Sequence, residues 1–246
     1  MTQLFRPDAI IFDLDGTLLD TEPLYSIATQ SVMDLFGKTF TMDFKRTIVG
    51  REATISAQMT IDHYDLPLTP TEFLRRRQLV LSELFPDAEA IRGAETYLHY
   101  LHESKDLYGS RGQHESNDLH DSKNFVMGIA TSSSRQLMEL KLSKKNWQSL
   151  FETIICGDEV TASKPEPDIF LACAQQLQVE PSRCLVFEDS PSGLIAAKAA
   201  NMKVICINSP YLDPDDQQLA DRVIDSYDAL NYQGSLTAPF ELELPD

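Results

Sequence analysis

The sequence predicts a doubly wound, Rossmann-like parallel α/β sheet with an inserted α-helical cap. Three observations carry this expectation. Short apolar runs of β type alternate with helical patterns, each run ends in a polar, Gly- or Ser-bearing turn, and more than a hundred residues of mostly helical pattern separate the first run from the second. The runs are Ala9–Phe12, Phe125–Ala130, Thr153–Cys156, Cys184–Phe187 and Val204–Ile207, with a weaker one at Arg222–Ile224. Continuous apolar runs of this length, bounded by turn signals, suit strands covered by helices on both faces.

The helical elements follow in order. Thr21–Phe36 places apolar side chains at Leu24, Ile27, Ala28, Val32, Leu35 and Phe36, with Gly37 as its stop. Thr69 is an N-cap for a second helix, with Pro70 in its first turn and Glu72 three residues after the cap, running toward Phe85. These segments make residues 19–92 an inserted cap, leaving 1–18 and 93–246 as the core, which resumes with a helix near Gly93–His102. From Ser104 to Asn124 the only large apolar residues are Leu107, Tyr108 and Leu119, too few to offset the entropy of ordering the chain, so a long mobile surface loop is expected there. His99, His102, His114 and His120 match no zinc-ligand spacing.

The chain has 246 residues, 42% hydrophobic and 24% charged. That is enough for one large domain or a core with one insertion, and it argues against disordered or fibrous classes. No apolar run approaches the roughly 20 residues that span a bilayer. No basic-then-apolar leader opens the sequence, which sets the expectation of a cytoplasmic protein. A net charge of −17 opposes binding to nucleic acid or an anionic membrane. Cys156, Cys173, Cys184 and Cys206 sit in apolar stretches without close pairing and read as buried free thiols.

In open parallel sheets ligands bind at the carboxyl ends of the strands, and four polar signals fall there. Asp13 and Asp15, in Phe12-Asp13-Leu14-Asp15-Gly16-Thr17, offer one carboxylate to attack and one to move protons, with Gly16 permitting the tight turn. Thr131, with Ser132 and Ser133 behind it, offers a hydroxyl and amides to a phosphoryl oxygen. Lys164 opens Lys164-Pro165-Glu166-Pro167-Asp168 and offers a positive charge. Glu188 and Asp189 offer oxygen ligands to a hard cation such as Mg²⁺. Taken singly, each has a plain alternative: an acidic turn, a helix cap, a solvated lysine, carboxylates complementing a helix dipole. Their order and their common place after predicted strands favour the chemical reading.

With these four motifs the chain resembles the haloacid dehalogenase superfamily, over nearly its whole length apart from residues 104–124 and the tail after about 230. It is most similar to the phosphatases and sugar-phosphate mutases of that superfamily whose cap is inserted after the first motif. Leu24-Tyr25-Ser26, Asp168–Ala174 and Cys184–Asp189 resemble its pseudouridine-5′-phosphatase branch. The resemblance implies Asp13 as nucleophile, Asp15 as acid and base, Thr131 and Lys164 as phosphoryl-binding groups, and Mg²⁺ held by Asp13, the Asp15 carbonyl and Asp189 with Glu188 assisting. It further implies Glu22, Tyr25, Arg51 and Ser132 as substrate contacts, Arg51 through the cap segment Ile48–Glu52. Arg75, Arg76 and Arg77 read as a solvent-facing surface, because consecutive helical positions splay around the axis.

The expected activity is hydrolysis of a small nucleotide- or sugar-phosphate-like monoester by a monomer. The rivals are a mutase of the β-phosphoglucomutase type and a non-catalytic binding protein. The mutase is disfavoured by Tyr25, where such enzymes carry a histidine. The binding protein is disfavoured by the completeness of the motifs.

Overall fold

Alternation along one strand sets up the core. Ala9 and Ile11 join one buried apolar cluster while Ile10 and Phe12 join another, and all four are fully buried. A period of two with both faces apolar is the mark of a strand covered on both sides. The same division runs through Cys184–Phe187 and Val204–Ile207.

The computed structural model describes residues 3–48, 53–111, 125–230 and 242–244. In chain order its strands and α-helices are β1 (Gln3–Phe5), β2 (Ala9–Phe12), β3 (Leu19–Asp20), α1 (Glu22–Asp34), α2 (Met42–Ile48), α3 (Ala53–Tyr64), α4 (Pro70–Leu84), β4 (Glu89–Ala90), α5 (Ala94–Arg111), β5 (Val126–Thr131), α6 (Arg135–Leu142), β6 (Thr153–Cys156), α7 (Asp168–Leu177), β7 (Cys184–Glu188), α8 (Pro191–Ala199), β8 (Lys203–Ile207), α9 (Pro214–Gln217), β9 (Arg222–Ile224) and β10 (Leu242–Leu244). Six of the strands form one parallel sheet in the order β6-β5-β2-β7-β8-β9. Counted along the chain within that sheet, the order is 3-2-1-4-5-6, the doubly wound Rossmann order. Helices α5 and α6 cover one face, and α7 and α8 the other.

Register places the motifs. Phe12 pairs with Ile129 on one side and with Phe187 on the other. Asp13 therefore leaves β2 level with the ends of β5 and β7, and its amide donates to the Phe187 carbonyl at 3.0 Å. Beneath it, the rings of Phe12 and Phe187 stack with centroids 4.9 Å apart, and Tyr227 stacks on Phe187 at 5.5 Å.

Helices α1 to α4 leave and rejoin the core through a short antiparallel pair, Leu19 with Ala90 and Asp20 with Glu89. The apolar faces of α1, α3 and α4 meet in a cluster of Val32, Met33, Ala57, Ile61, Leu66 and Phe73. Helix α4 begins as its cap signal predicts, with the Thr69 hydroxyl accepting from the Glu72 amide at 3.3 Å. Thr21 precedes α1 without capping it, because its hydroxyl is turned to Asp15.

One expectation is corrected. The stretch from Ser104 does not open as a loop: α5 continues to Arg111. Ala94, Tyr97, Leu98 and Leu101 anchor its first turns in the core. Each further helical residue then adds a backbone bond at small cost once the helix is nucleated. Residues 112–124, with His114 and His120, lie outside the described residues. The tail beyond 230 returns to pair β10 antiparallel with β1, a contact too long-range for the local pattern to reveal. All four cysteines are free and buried. Among the described residues no helix is long and apolar enough to cross a membrane.

The stacked rings under the motifs should carry much of the core's stability. Phe12→Ala is expected to lower the unfolding free energy by about 3–5 kcal/mol, read from urea denaturation. A loss below about 1 kcal/mol would contradict this account of the core.

Candidate active site

Lys164 gathers the motifs. Its ammonium donates to Asp13 Oδ1 at 2.6 Å, to Glu188 Oε1 at 2.7 Å and to the Ala130 carbonyl at 3.2 Å. It thus touches residues of β5 and β7 and the residue that follows β2. The lysine side chain is 4% exposed, and Asp13 and Glu188 are buried. A buried ammonium needs such partners, since an uncompensated charge there is costly. Burial works against the charged lysine, but Asp13 and Glu188 outweigh it and raise its pKa above the ordinary value.

The other Glu188 oxygen is fully occupied. Oε2 accepts from the amides of Asp189 and Ser190 at 2.7 and 2.8 Å and from the Ser190 hydroxyl at 3.0 Å. Glu188 therefore shapes the turn that presents Asp189. The Thr17 hydroxyl donates to Asp189 Oδ1 at 3.1 Å and aligns that carboxylate from the opposite loop.

Gly16 is required where these loops meet. Its φ is +83°, and a Cβ there would lie 2.0 Å from Asp189 Oδ2. Gly193, in helix α8, is fixed by close approach alone, with a Cβ falling 1.7 Å from Glu188 Oε1.

Asp13 and Asp15 stand in opposite environments. Burial is the main cause that lifts the Asp13 carboxyl to about 7; Lys164 opposes it, while Glu188 and Asp15 add to it. Asp189 is pushed well above the carboxylate range by burial and then by Glu188 and Asp13. For Asp15 burial also acts upward, but Lys141 and the hydroxyls of Thr21 and Ser133 prevail and hold its pKa below the usual value. Three carboxylates around one lysine leave an excess of buried negative charge beside Asp13 and Asp189, and that excess suits a bound cation.

Asp13, Asp189 and the Asp15 carbonyl could hold such an ion through hard oxygen donors. Among the described residues no three His, Cys, Asp or Glu side chains converge as a ready-made cage. Mg²⁺ does not demand one, since it is usually held by one or two carboxylates together with waters and substrate phosphate.

Residues 7–201 match the family model of the haloacid dehalogenase-like hydrolases. The chain belongs to this family. It is 35% identical over 222 residues to a probable pseudouridine-5′-phosphatase of Drosophila melanogaster, covering 88% of each chain. It is 34% identical over 225 residues to (DL)-glycerol-3-phosphatase 2 of Arabidopsis thaliana, covering 88% of this chain and 86% of that one. CbbY from Rhodobacter sphaeroides, solved with phosphate, shares the fold with a TM-score of 0.70 at 24% identity, covering 92% of this chain and 96% of that one.

Within this hydrolase the expected site residues divide by place. Asp13, Asp15, Thr131, Lys164, Glu188 and Asp189 come together at the ends of β2, β5 and β7. Thr131 is buried and its hydroxyl accepts from the Ser133 amide at 3.1 Å, while Ser132 is exposed. Glu22 is drawn to Lys45 Nζ at 3.0 Å. Tyr25 packs edge-on against Phe85 at 5.7 Å between ring centroids. Arg51, with residues 49–52, lies outside the described residues.

The arginine run differs from expectation. Arg75 and Arg76 both pair with Glu72, but Arg77 turns inward over the rings of Tyr25 and Phe73, 5.6 and 5.9 Å from their centroids. Burial there lowers its pKa, against the pull of Tyr25 and Glu22.

One buried charge was missed altogether. Lys141 on α6, fully buried, donates to both Asp15 oxygens at 2.6 and 2.8 Å. Its signal was present in the pattern, since it lies three residues after Met138 and beside Leu142, inside the apolar stripe of α6.

Gly16→Ala is expected to destabilise the hydrolase by at least about 1–2 kcal/mol, the cost of a left-handed alanine. It should also displace Asp189. Thermal melting checks the first effect, and an unchanged melting temperature would contradict the geometry assigned to this turn.

Proposed function

We propose that the chain is a Mg²⁺-dependent phosphatase that hydrolyses small, nucleotide- or sugar-phosphate-like monoesters through an aspartyl-phosphate on Asp13. The observation that carries the reading is the convergence of Asp13, Asp15, Thr131, Lys164 and Asp189 at three adjacent strand ends. The names of the two relatives, one a probable pseudouridine-5′-phosphatase and the other a glycerol-3-phosphatase, support a small phosphate ester as substrate.

In this reading an Asp13 oxygen attacks phosphorus as the ester P–O bond breaks, and the proton of Asp15 passes to the leaving oxygen. Water then attacks the phosphorus, its proton returns to Asp15, and the bond to Asp13 breaks to release phosphate. Thr131 and Lys164 hold the transferring oxygens, which is most of what phosphoryl transfer asks of a protein. Asp13, Asp189 and the Asp15 carbonyl would hold Mg²⁺, which when bound supplies charge neutralisation at the reacting phosphoryl group. We assign Glu188 to holding Lys164 and the Asp189 turn, because both of its oxygens are engaged.

Residues 19–92 form the cap in this account and face the leaving group, with Tyr25, Glu22 and Arg51 as its contact candidates and Ser132 as that of the core. Tyr25 also argues against the mutase reading. It is a phenol packed on Phe85, its ionisation pushed up by burial, at a position where such mutases carry a histidine. We also read the protein as a cytoplasmic monomer, and its net charge of −17 argues against nucleic acid or an anionic membrane as a partner.

Asp13→Asn should cut Mg²⁺-supported phosphate release from the best monoester by more than about 1,000-fold, with the melting temperature preserved. Chelation of Mg²⁺ should silence the wild type reversibly. A variant within tenfold of wild type, or activity indifferent to chelation, would contradict the proposal.

A further inference from the structure

The fold turns Arg77 inward, and the proposed mechanism has no use for it. Its guanidinium stands 5.6 Å from the centre of the Tyr25 ring on α1 and 5.9 Å from that of Phe73 on α4. Among the described residues it has neither an ion pair nor a hydrogen bond, and it is half-buried, so part of it stays open to a ligand.

The cations around it are matched. Lys45 pairs with Glu22 at 3.0 Å, Arg75 and Arg76 share Glu72, Lys141 meets Asp15, and Lys164 meets Asp13 and Glu188. Glu22 pulls on the Arg77 charge from a distance, but one of its oxygens is already taken by Lys45. Burial disfavours the guanidinium charge, and no described carboxylate touches it.

Its place follows from α1. Thr21, just before that helix, donates its hydroxyl to Asp15 Oδ1 at 2.8 Å. Tyr25 lies four residues on, so it leaves α1 on the same face as Thr21, one turn of about 5.4 Å farther from the first motif. Arg77 stacks over that Tyr25 ring from α4.

We infer that Arg77 is a specificity residue that binds an anionic group, a carboxylate or a second phosphoryl group, on the leaving alcohol of the ester. The inference rests on the proposed phosphatase reading and deepens it by naming a substrate class. A leaving group that extends from phosphorus at Asp13 past Asp15 and Thr21 meets Tyr25 and then Arg77. The planar guanidinium presents its N–H donors as a fork that fits two oxygens of one anion. Its contacts with the two rings use no acceptor oxygen, so those donors are left to a ligand. A chain of net charge −17 repels an additional anion at long range, and a local cation is what rewards it. The plain alternative is an arginine whose stem packs on Tyr25 and Phe73 for stability alone.

Two matched pairs of esters separate these readings. 3-Phosphoglycerate differs from glycerol 3-phosphate by a carboxylate in place of a hydroxymethyl group, and glucose 1,6-bisphosphate differs from glucose 1-phosphate by a second phosphoryl group. The test reads kcat and KM for phosphate release with Mg²⁺ from all four, for wild type, Arg77→Met and Arg77→Lys. We expect the wild type to favour the charged member of at least one pair by kcat/KM, and which pair it is tells carboxylate from phosphoryl group. On that member Arg77→Met should lose roughly 10- to 100-fold, and at least about fivefold more than on the neutral partner, the worth of a hydrogen bond to a charged group. The loss should fall on KM more than on kcat, because the contact is remote from the bond that breaks. Arg77→Lys, which keeps the charge without the fork, should regain part of it. A wild type that favours neither charged member, or losses equal within the pair, would overturn the inference.

If Arg77→Met fails to fold by circular dichroism, Arg77→Gln carries the same comparison, and equal losses again overturn it. A wild type that releases phosphate from no ester removes the phosphatase reading and this inference with it. An active wild type that fails either comparison removes the inference alone.

Discussion

One ammonium among three carboxylates fixes the arrangement of this site. Lys164 reaches Asp13, Glu188 and the Ala130 carbonyl, and so ties together the ends of three neighbouring strands. A charge buried to this degree is tolerated only with such partners. The partners in turn demand the close backbone approach that glycine permits at positions 16 and 193. The excess negative charge that remains lifts Asp13 and Asp189 and makes the place receptive to a cation.

A second lysine gives the two aspartates different surroundings. Asp13 and Asp15 are two residues apart, yet Lys164 serves the first and Lys141 the second. Asp13 therefore looks into a site with excess negative charge, and Asp15 into a satisfied network of hydroxyls and ammonium. An anionic ester beside Asp15 would raise its carboxyl, and a cation held by Asp13 and Asp189 would lower theirs. In the proposed reaction, loading the site would thus move the pair toward proton donor and nucleophile.

Most of the sheet was legible because apolar runs such as Ala9–Phe12 and Cys184–Phe187 are local, and their turn residues announce where they stop. The helix start at Thr69 was legible for the same reason, its cap being made within four residues. What the local pattern could not show were residues whose meaning depends on remote partners. Lys141 lies inside the apolar stripe of α6, which marks it for burial, but only the packing of α6 against the first motif gives it Asp15 as a partner. Arg77 parts from Arg75 and Arg76 because a helix turns 100° per residue, which carries the third guanidinium round to Tyr25 while the first two stay with Glu72. The continuation of α5 past Ser104 was hidden because a helix anchored in the core at Leu98 and Leu101 extends through residues too polar to start one.

Covalent capture of the phosphoryl group at Asp13 tests the central claim most directly. Wild-type protein turning over a phosphate ester would be quenched in acid within milliseconds, reduced with borohydride and digested for mass spectrometry. The account predicts an acyl-phosphate on the Asp13 peptide alone, seen as conversion of residue 13 to homoserine and absent from Asp13→Asn. Phosphoryl transfer to Thr131, Ser132 or Ser133, or turnover with no modified residue, would contradict it.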